Sequence, residues 1–315
     1  MVAHEPVGPV EATEVPRYAG LGTFARLPQL SEVPDYDVAI LGVPYDGGVS
    51  FRPGARFAPA AIREASRLLR PGYHVELDTT PVARKQFVDA GDVACTPYRI
   101  ETAVAQIEAA AAKLVGPERV VIALGGDHTI ALPMLRATAQ VHGPVALLHF
   151  DAHLDTWDTY FGEPITHGTM FRRAFEEGLL IEDRSMHVGI RGPVYDREDF
   201  TRDRDAGFRT LRCSDIDRIG VPEAIRLVRE RIGDAPVYLS VDIDVLDPAY
   251  APGTGTPEMG GLHSRELLQL LRGLDGLRIV GADVVEVAPA YDHADTTALA
   301  AATLVFDYMA LLTRP

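Results

Sequence analysis

The sequence of 315 residues predicts an α/β fold of three layers, α/β/α, in which a mostly parallel sheet lies between helices. Two observations support this prediction. Short runs rich in β-branched residues end in Gly, Pro or Asp, and amphipathic stretches follow several of them. The runs do not alternate between polar and apolar residues, which is typical of strands that are buried on both faces.

The order of these segments gives the predicted elements. The predicted strands are residues 36–44, 119–124, 145–150, 186–190, 236–241 and 278–287. Helices are predicted around residues 59–69, 130–141 and 296–312, with others after residue 241. Residues 1–34 have no clean period, so we expect an N-terminal arm that lies on the surface or against a neighbouring subunit, followed by a single domain at 35–315.

The charge balance restricts the class of partner. The chain has 30 Lys and Arg residues against 45 Asp and Glu residues, a net charge of −15. Nucleic acid requires the opposite balance, whereas an acidic surface tolerates a small cationic molecule. No segment offers the ~18 apolar residues of a membrane span. The first residues lack the pattern of a signal peptide, and Cys95 and Cys213 form no disulfide framework, so we expect a cytoplasmic protein.

Polar residues cluster where three of the predicted strands end. In an extended chain, residues i, i+2 and i+4 point to one face, and open α/β sheets bind ligands outside the carboxyl ends of their strands. We therefore expect these clusters to form one site. They are Asp127 and His128 in LGGDHT, Asp151, His153 and Asp155 in HFDAHLD, and Asp242 and Asp244 in SVDIDVLDP, with Asp247 just beyond.

This composition favours a pair of metal ions. Crowded carboxylates repel one another unless cations neutralise them, and bridging carboxylates can hold two metals ~3.5–4 Å apart. A set of carboxylates and imidazoles without cysteine favours Mn²⁺ over structural zinc. The alternative is that each Asp caps a turn and each His belongs to the core, but three unpaired polar strand ends are costly. We predict two Mn²⁺ per subunit.

The motifs GGDHT, DAHLD, SVDIDVLDPAYAPGTGTPEMGG and DVVEVAP resemble those of the ureohydrolases, the family of arginase and agmatinase. The segment VPYDGGVSFRPGARFAPAAIRE is similar to the N-terminal signature of the family, so the resemblance runs from about Tyr18 to the last helix. It implies an arginase-like fold and the hydrolysis of a guanidino compound to urea and an amine. It also implies a homo-oligomer, either a trimer or a hexamer.

The resemblance implies six metal ligands, of which Asp151 and Asp242 are shared by both ions. The first metal is expected on His128, Asp151, Asp155 and Asp242, and the second on His153, Asp151, Asp242 and Asp244. The metal pair would supply the hydroxide that attacks the guanidino carbon.

Two further residues match catalytic positions of the family. His167, in ITHGTMF, matches the histidine that moves protons, although a His before a Gly is more often a turn residue. Glu286, in VVEVAP, matches the glutamate that pairs with the guanidinium, a fork of donors that a carboxylate accepts bidentately. The alternative for Glu286 is a salt bridge in the core.

The segment at 156–171 bears on the substrate. Its HGTMF ending resembles agmatinases, and it carries Asp158 and Glu163 but no Lys or Arg, which favours a cationic tail such as that of agmatine. We therefore predict cleavage of agmatine to putrescine and urea, with guanidinobutyrase or another guanidino-acid hydrolase as the alternative. That alternative would hold if the mouth were lined by Arg52, Arg56, Arg191 or Arg197.

Two other classes remain open at this point. An amide hydrolase of the deacetylase type on the same architecture is expected to show a different metal pattern. A catalytically silent metal-binding protein is expected to have lost at least one of the matched residues, and this chain has lost none.

Overall fold

The computed structural model describes residues 5–314 and contains a central sheet of eight strands. In chain order the strands are β1 (Val38–Gly42), β2 (Phe87–Asp92), β3 (Val120–Leu124), β4 (Ala146–Phe150), β5 (Met186–Ile190), β6 (Arg209–Arg212), β7 (Val237–Asp242) and β8 (Ile279–Val285). Their order across the sheet is β2-β1-β3-β8-β7-β4-β5-β6, and every neighbouring pair is parallel.

Helices connect the strands and cover both faces of the sheet. They are α1 (Ala58–Ser66), α2 (Pro81–Arg84), α3 (Ile100–Ala111), α4 (Ala131–His142), α5 (Met170–Glu176), α6 (Glu198–Asp205), α7 (Cys213–Ile219), α8 (Val221–Ile232), α9 (Ser264–Arg272) and α10 (Thr296–Leu311). Within residues 5–314, no helix is long and apolar enough to cross a membrane.

The apolar core has two parts, one on each face of the sheet. Side chains alternate along a strand, so Val38 and Ile40 of β1 face one part while Ala39 and Leu41 face the other. Helices α1, α8, α9 and α10 pack on the first part, and helices α3, α4 and α5 pack on the second. This arrangement confirms the predicted three-layer fold.

All six predicted strands are present, but the apolar-run criterion missed the two edge strands. Strand β2 carries Asp89 and Asp92, and strand β6 reads RTLR, with three of its four residues at least partly exposed. An edge strand is not buried on both faces, so it need not form a continuous apolar run. Arg63 of α1 holds β2 by donating hydrogen bonds of 2.8 and 2.9 Å to the two carboxylate oxygens of Asp89.

The segment before β1 packs against its own chain. Phe24 and Leu27 are buried in the first part of the core, and the Val10 N–H donates to the Arg26 carbonyl. The division into an arm at 1–34 and a domain at 35–315 stays a prediction, and residues 1–4 and 315 lie outside the described part of the chain.

The strand order decides where the polar clusters meet. Strands β3, β8, β7 and β4 are consecutive neighbours at the centre of the sheet, although they are distant in sequence. Because all of them are parallel, their carboxyl ends and the segments that follow converge at one edge.

Candidate metal centre and active site

Four of the predicted site residues follow the central strands at this edge. His128 begins a short 3₁₀ turn after β3, Asp151 follows β4, Asp242 ends β7 and Glu286 follows β8. All four are buried, with at most 3% of their surface exposed. Glu286 has a φ of 64°, a left-handed conformation that is uncommon for residues other than glycine and that clusters at functional sites.

A first group of ligand atoms surrounds the His128 imidazole. Its Nδ1 lies 3.2 Å from Asp151, 3.0 Å from Asp155 and 3.4 Å from Asp242. This nitrogen is buried and has no hydrogen-bond partner of acceptable geometry among the described residues. A ring nitrogen that faces three carboxylates without bonding to any of them fits a position beside a cation.

The hydrogen bonds of Ser240 determine the tautomer of His128. The Ser240 hydroxyl lies 2.8 Å from His128 Nε2 and donates its own proton to Asp283 at 2.7 Å. Because Ser240 has only one proton to donate, the proton between Ser240 and His128 belongs to Nε2. The lone pair of His128 is therefore on Nδ1 and points at the three carboxylates.

A second group lies beside the first and shares Asp151 with it. His153 Nδ1 is 3.3 Å from Asp151 Oδ1 and 3.1 Å from Asp244 Oδ2, whereas the other oxygen of Asp151 faces His128. The ligand atoms of His128, Asp151 and Asp155, together with those of His149, lie within 4.8 Å of one another, as do those of Asp151, His153 and Asp244, a spacing that could hold a metal ion. The structure therefore brings Asp151 between two candidate metal positions.

Asp242 is the least defined of the six. One of its oxygens faces His128, and the other accepts a hydrogen bond of 2.8 Å from the Asp244 N–H. Its sharing between both metals stays a prediction.

The backbone that carries these candidate ligands turns tightly and is not extended as predicted. Asp244 lies in a 3₁₀ turn (Ile243–Val245), and Asp155 has a left-handed φ of 57°. The expectation that these residues point to one face of an extended chain is therefore wrong, although the side chains that it selected do meet. Tight turns bring alternate residues together here because Asp242 and Asp151 each accept the backbone N–H two residues later.

Three of the four candidate carboxylate ligands, Asp155, Asp242 and Asp244, have raised pKa values, whereas the neighbouring histidines lower the pKa of Asp151. Burial, reinforced by Asp244 and Asp151, holds the pKa of Asp242 well above its usual range. Burial and the charge of Asp151 raise the pKa of Asp244 to about 6. Positive charge between these groups would restore the ionised, metal-binding form of each carboxylate.

His167 and Glu286 form a pair beside the metal groups. His167 Nδ1 lies 3.0 Å from Glu286 Oε1, and the Ser50 hydroxyl lies 2.7 Å from His167 Nε2. Burial disfavours the charged imidazole, but the carboxylates of Glu286, Asp155 and Asp127 together outweigh it and raise the pKa of His167 to about 9. His167 is therefore mainly protonated at neutral pH.

A cleft of about 320 Å³ opens onto these groups. Its walls include the predicted residues His153, Asp155, His167 and Asp242. They also include side chains that sequence reasoning did not select, namely Phe51, Trp157, Tyr160 and Glu258. Glu258 lies within the quoted TGTPEMGG motif, so its place beside the metal ligands in sequence was an available signal.

The acidic side chains that were expected to recognise the substrate tail do not line the cleft. Asp158 is exposed and pairs with Arg173 at 2.6 Å, and neither Asp158 nor Glu163 is among the residues that line the cleft. None of the four arginines considered as alternatives lines it either. Arg191, for example, donates to the backbone carbonyls of Asp244 and Glu258 and so holds their loops together. Apart from the predicted ligands Asp155 and Asp242, the acidic residue that lines the cleft is Glu258, whose Oε1 lies 3.7 Å from Nε2 of His153.

Sequence reasoning also missed His149, which lies directly behind Asp151. Its Nε2 is 2.7 Å from Asp151 Oδ2, and burial lowers the pKa of the imidazole to about 3, so the ring is neutral. The available signal was a histidine inside the otherwise apolar strand VALLHF, two residues before Asp151.

Comparison with known proteins agrees with this geometry. Residues 36–311 match the Arginase family, and the chain belongs to that family. It is 45% identical to the agmatinase of Neisseria meningitidis, over 91% of this chain and 92% of the relative. It is 43% identical to the guanidinobutyrase of Pseudomonas aeruginosa, over 98% of this chain and 97% of the relative.

A solved structure gives the same result for the fold. The proclavaminate amidinohydrolase of Streptomyces clavuligerus matches with a TM-score of 0.90 at 42% identity, covering 95% of this chain and 99% of that one. The predicted resemblance to the ureohydrolases and the predicted arginase-like fold are both confirmed. The chain is a hydrolase of the arginase family.

The support behind His128 can be tested with Ser240→Ala. Loss of the hydroxyl leaves Nε2–H without its acceptor and frees the tautomer, so we expect the Kd for Mn²⁺ to rise by ~10–100-fold. Ser66→Ala is the matched control, because Ser66 is equally buried and hydrogen-bonded but lies between Arg63 and Ala25. Titration of the metal-free proteins with Mn²⁺ measures the effect. Equal Kd values for Ser240→Ala and the parent protein would contradict this role.

Proposed function

We propose that the protein hydrolyses agmatine to putrescine and urea and uses two Mn²⁺ per chain. The observation that carries the proposal is the Asp151 carboxylate between two groups of ligand atoms whose members His153 and Asp155 line a cleft together with His167. Hydrolysis of guanidinobutyrate or another guanidino acid is the second candidate, since one relative is named for that activity.

We assign six side chains to the metal pair: His128, Asp151, His153, Asp155, Asp242 and Asp244. Four carboxylates and two imidazoles, with no thiolate, form a donor set that suits Mn²⁺. When bound, the two cations lower the pKa of a coordinated water so that it can attack as a nucleophile at neutral pH.

Glu286 orients the substrate in this proposal. Its Oε1 accepts a hydrogen bond from the His128 N–H and faces His167, whereas its Oε2 is buried and has no partner among the described residues. An unpaired buried carboxylate oxygen is costly. The N–H groups of a guanidinium would satisfy Oε2 with charge-assisted hydrogen bonds.

His167 supplies a proton to the leaving group. Water adds its oxygen to the guanidino carbon, and the bond between that carbon and the alkyl nitrogen breaks. The departing nitrogen takes one proton from His167 and a second from the added oxygen. The other proton of the attacking water returns to His167, so the products are urea and the protonated amine.

The cleft favours a cationic tail. Glu258 lines it as a carboxylate outside the proposed ligand set, and the rings of Trp157 and Tyr160 stack with their centroids 5.5 Å apart. A carboxylate and aromatic faces both attract an ammonium group. These features replace Asp158 and Glu163 as the reason to prefer agmatine.

The remaining assignments follow from the family resemblance and the composition. We propose a homo-oligomer, a trimer or hexamer, that acts in polyamine metabolism. Two free cysteines without a disulfide pattern are typical of a reducing compartment, which supports a cytoplasmic location.

The role of His167 is tested by His167→Ala. We expect kcat to fall by ~10²–10⁴-fold, the usual contribution of a general acid, while the protein retains its metal. Urea release and metal content are measured on the same preparations, with the exposed His293→Ala as control. Loss of metal in His167→Ala would place this side chain among the ligands, and unchanged turnover would make it a turn residue.

The tail preference is tested by comparing agmatine with guanidinobutyrate, which ends in a carboxylate. One misplaced charge in a partly desolvated cleft costs ~1–3 kcal/mol, so we expect kcat/KM to favour agmatine by ~10–150-fold. Urea release from the Mn²⁺-loaded protein gives both values. A preference for guanidinobutyrate would assign the protein to the guanidino-acid hydrolases and leave the metal mechanism standing.

A further inference from the structure

A chain of buried hydrogen bonds extends from Asp151 away from the cleft. His149 Nε2 lies 2.7 Å from Asp151 Oδ2, and His149 Nδ1 lies 2.7 Å from His187 Nδ1. His187 Nε2 then lies 3.0 Å from Asp203 Oδ1. The chain crosses from β4 to the neighbouring strand β5 and ends on α6, and each of its members is at most 2% exposed.

Each ring of this chain is held at both of its nitrogens. His149 lies between Asp151 and His187, and His187 lies between His149 and Asp203, with every contact at 3.0 Å or less. Because these contacts are buried, the position of Asp203 constrains the position of the His149 ring.

The surroundings hold the rings and the terminal carboxylate in place. His187 stacks on Phe208 with ring centroids 4.4 Å apart, and His149 packs edge-on against Phe171 at 4.6 Å. Asp203 also accepts hydrogen bonds from the hydroxyls of Thr156 and Thr210, at 3.1 and 3.2 Å. These contacts hold the Asp203 carboxylate in place beside Nε2 of His187.

We propose that His187 and Asp203 are positioning residues that hold the His149 ring against Asp151 and thereby orient the carboxylate that lies between the two metal groups. Asp203 anchors Nε2 of His187, and Nδ1 of His187 contacts Nδ1 of His149, which leaves Nε2 of His149 beside Asp151. The inference rests on the proposed metal centre.

The test is Asp203→Asn, which preserves the shape of the side chain and removes its charge. We expect the Kd for Mn²⁺ to rise by ~10-fold or more, the scale for loss of a residue that supports a metal ligand. In the metal-saturated protein we expect kcat to fall and KM for agmatine to stay the same, because His167, Glu286 and the cleft are untouched. His187→Phe, which keeps the ring against Phe208, is the second variant if Asp203→Asn does not fold.

Asp307→Asn is the matched control. Asp307 and His74 form a second buried pair, 2.6 Å apart. Asp307 also pairs with Arg272, and neither His74 nor Arg272 is a predicted metal ligand. We expect Asp307→Asn to lower the melting temperature of the metal-free protein and leave the Kd for Mn²⁺ unchanged.

The outcomes separate the two proposals. Unchanged Mn²⁺ affinity in the Asp203 and His187 variants, with two ions bound by the parent protein, would overturn the positioning role alone. An equal loss of affinity in Asp307→Asn would also overturn it, because general destabilisation would then explain the effect. A parent protein that binds no Mn²⁺ would overturn the proposed function together with the inference built on it.

Discussion

The constraint on which this structure depends is the concentration of negative charge around two histidines at one edge of the sheet. Burial raises the pKa of Asp242 and Asp244, so these side chains are poor anions without a cation beside them. Folding them into the interior is costly unless positive charge compensates. The proposed metal pair would therefore compensate the buried charge at this edge as well as serve the chemistry, and His167 and Glu286 lie beside its proposed ligands.

The sheet supplies both the position and the support of these side chains. Parallel order across β3, β8, β7 and β4 brings distant motifs to one edge, and polar side chains inside the same strands hold the ligands from behind. Ser240 and Asp283 fix the ring of His128, and His149 reaches Asp151 from β4. Each support is a polar residue inside an apolar strand, a costly placement unless it is fully hydrogen-bonded.

Sequence reasoning predicted most of the fold and the candidate site, for identifiable reasons. Strands buried on both faces leave an apolar run in the sequence, and the six candidate ligands lie in motifs at strand ends. The edge strands β2 and β6 leave no such run because they are partly exposed. Asp158 was misjudged because a charge in sequence does not show its partner, and here Arg173 neutralises it. The contact between His149 and His187 depends on strand register, which local sequence does not specify.

The central claim is that Asp151 is shared by two cations in the active protein. Anomalous diffraction from crystals grown with Mn²⁺, combined with metal analysis of the same active preparation, tests it most directly. The account predicts two peaks per chain, one among His128, Asp151 and Asp155 and the other among Asp151, His153 and Asp244. A fully active protein with a single ion per chain, or with peaks that do not adjoin Asp151, would contradict it.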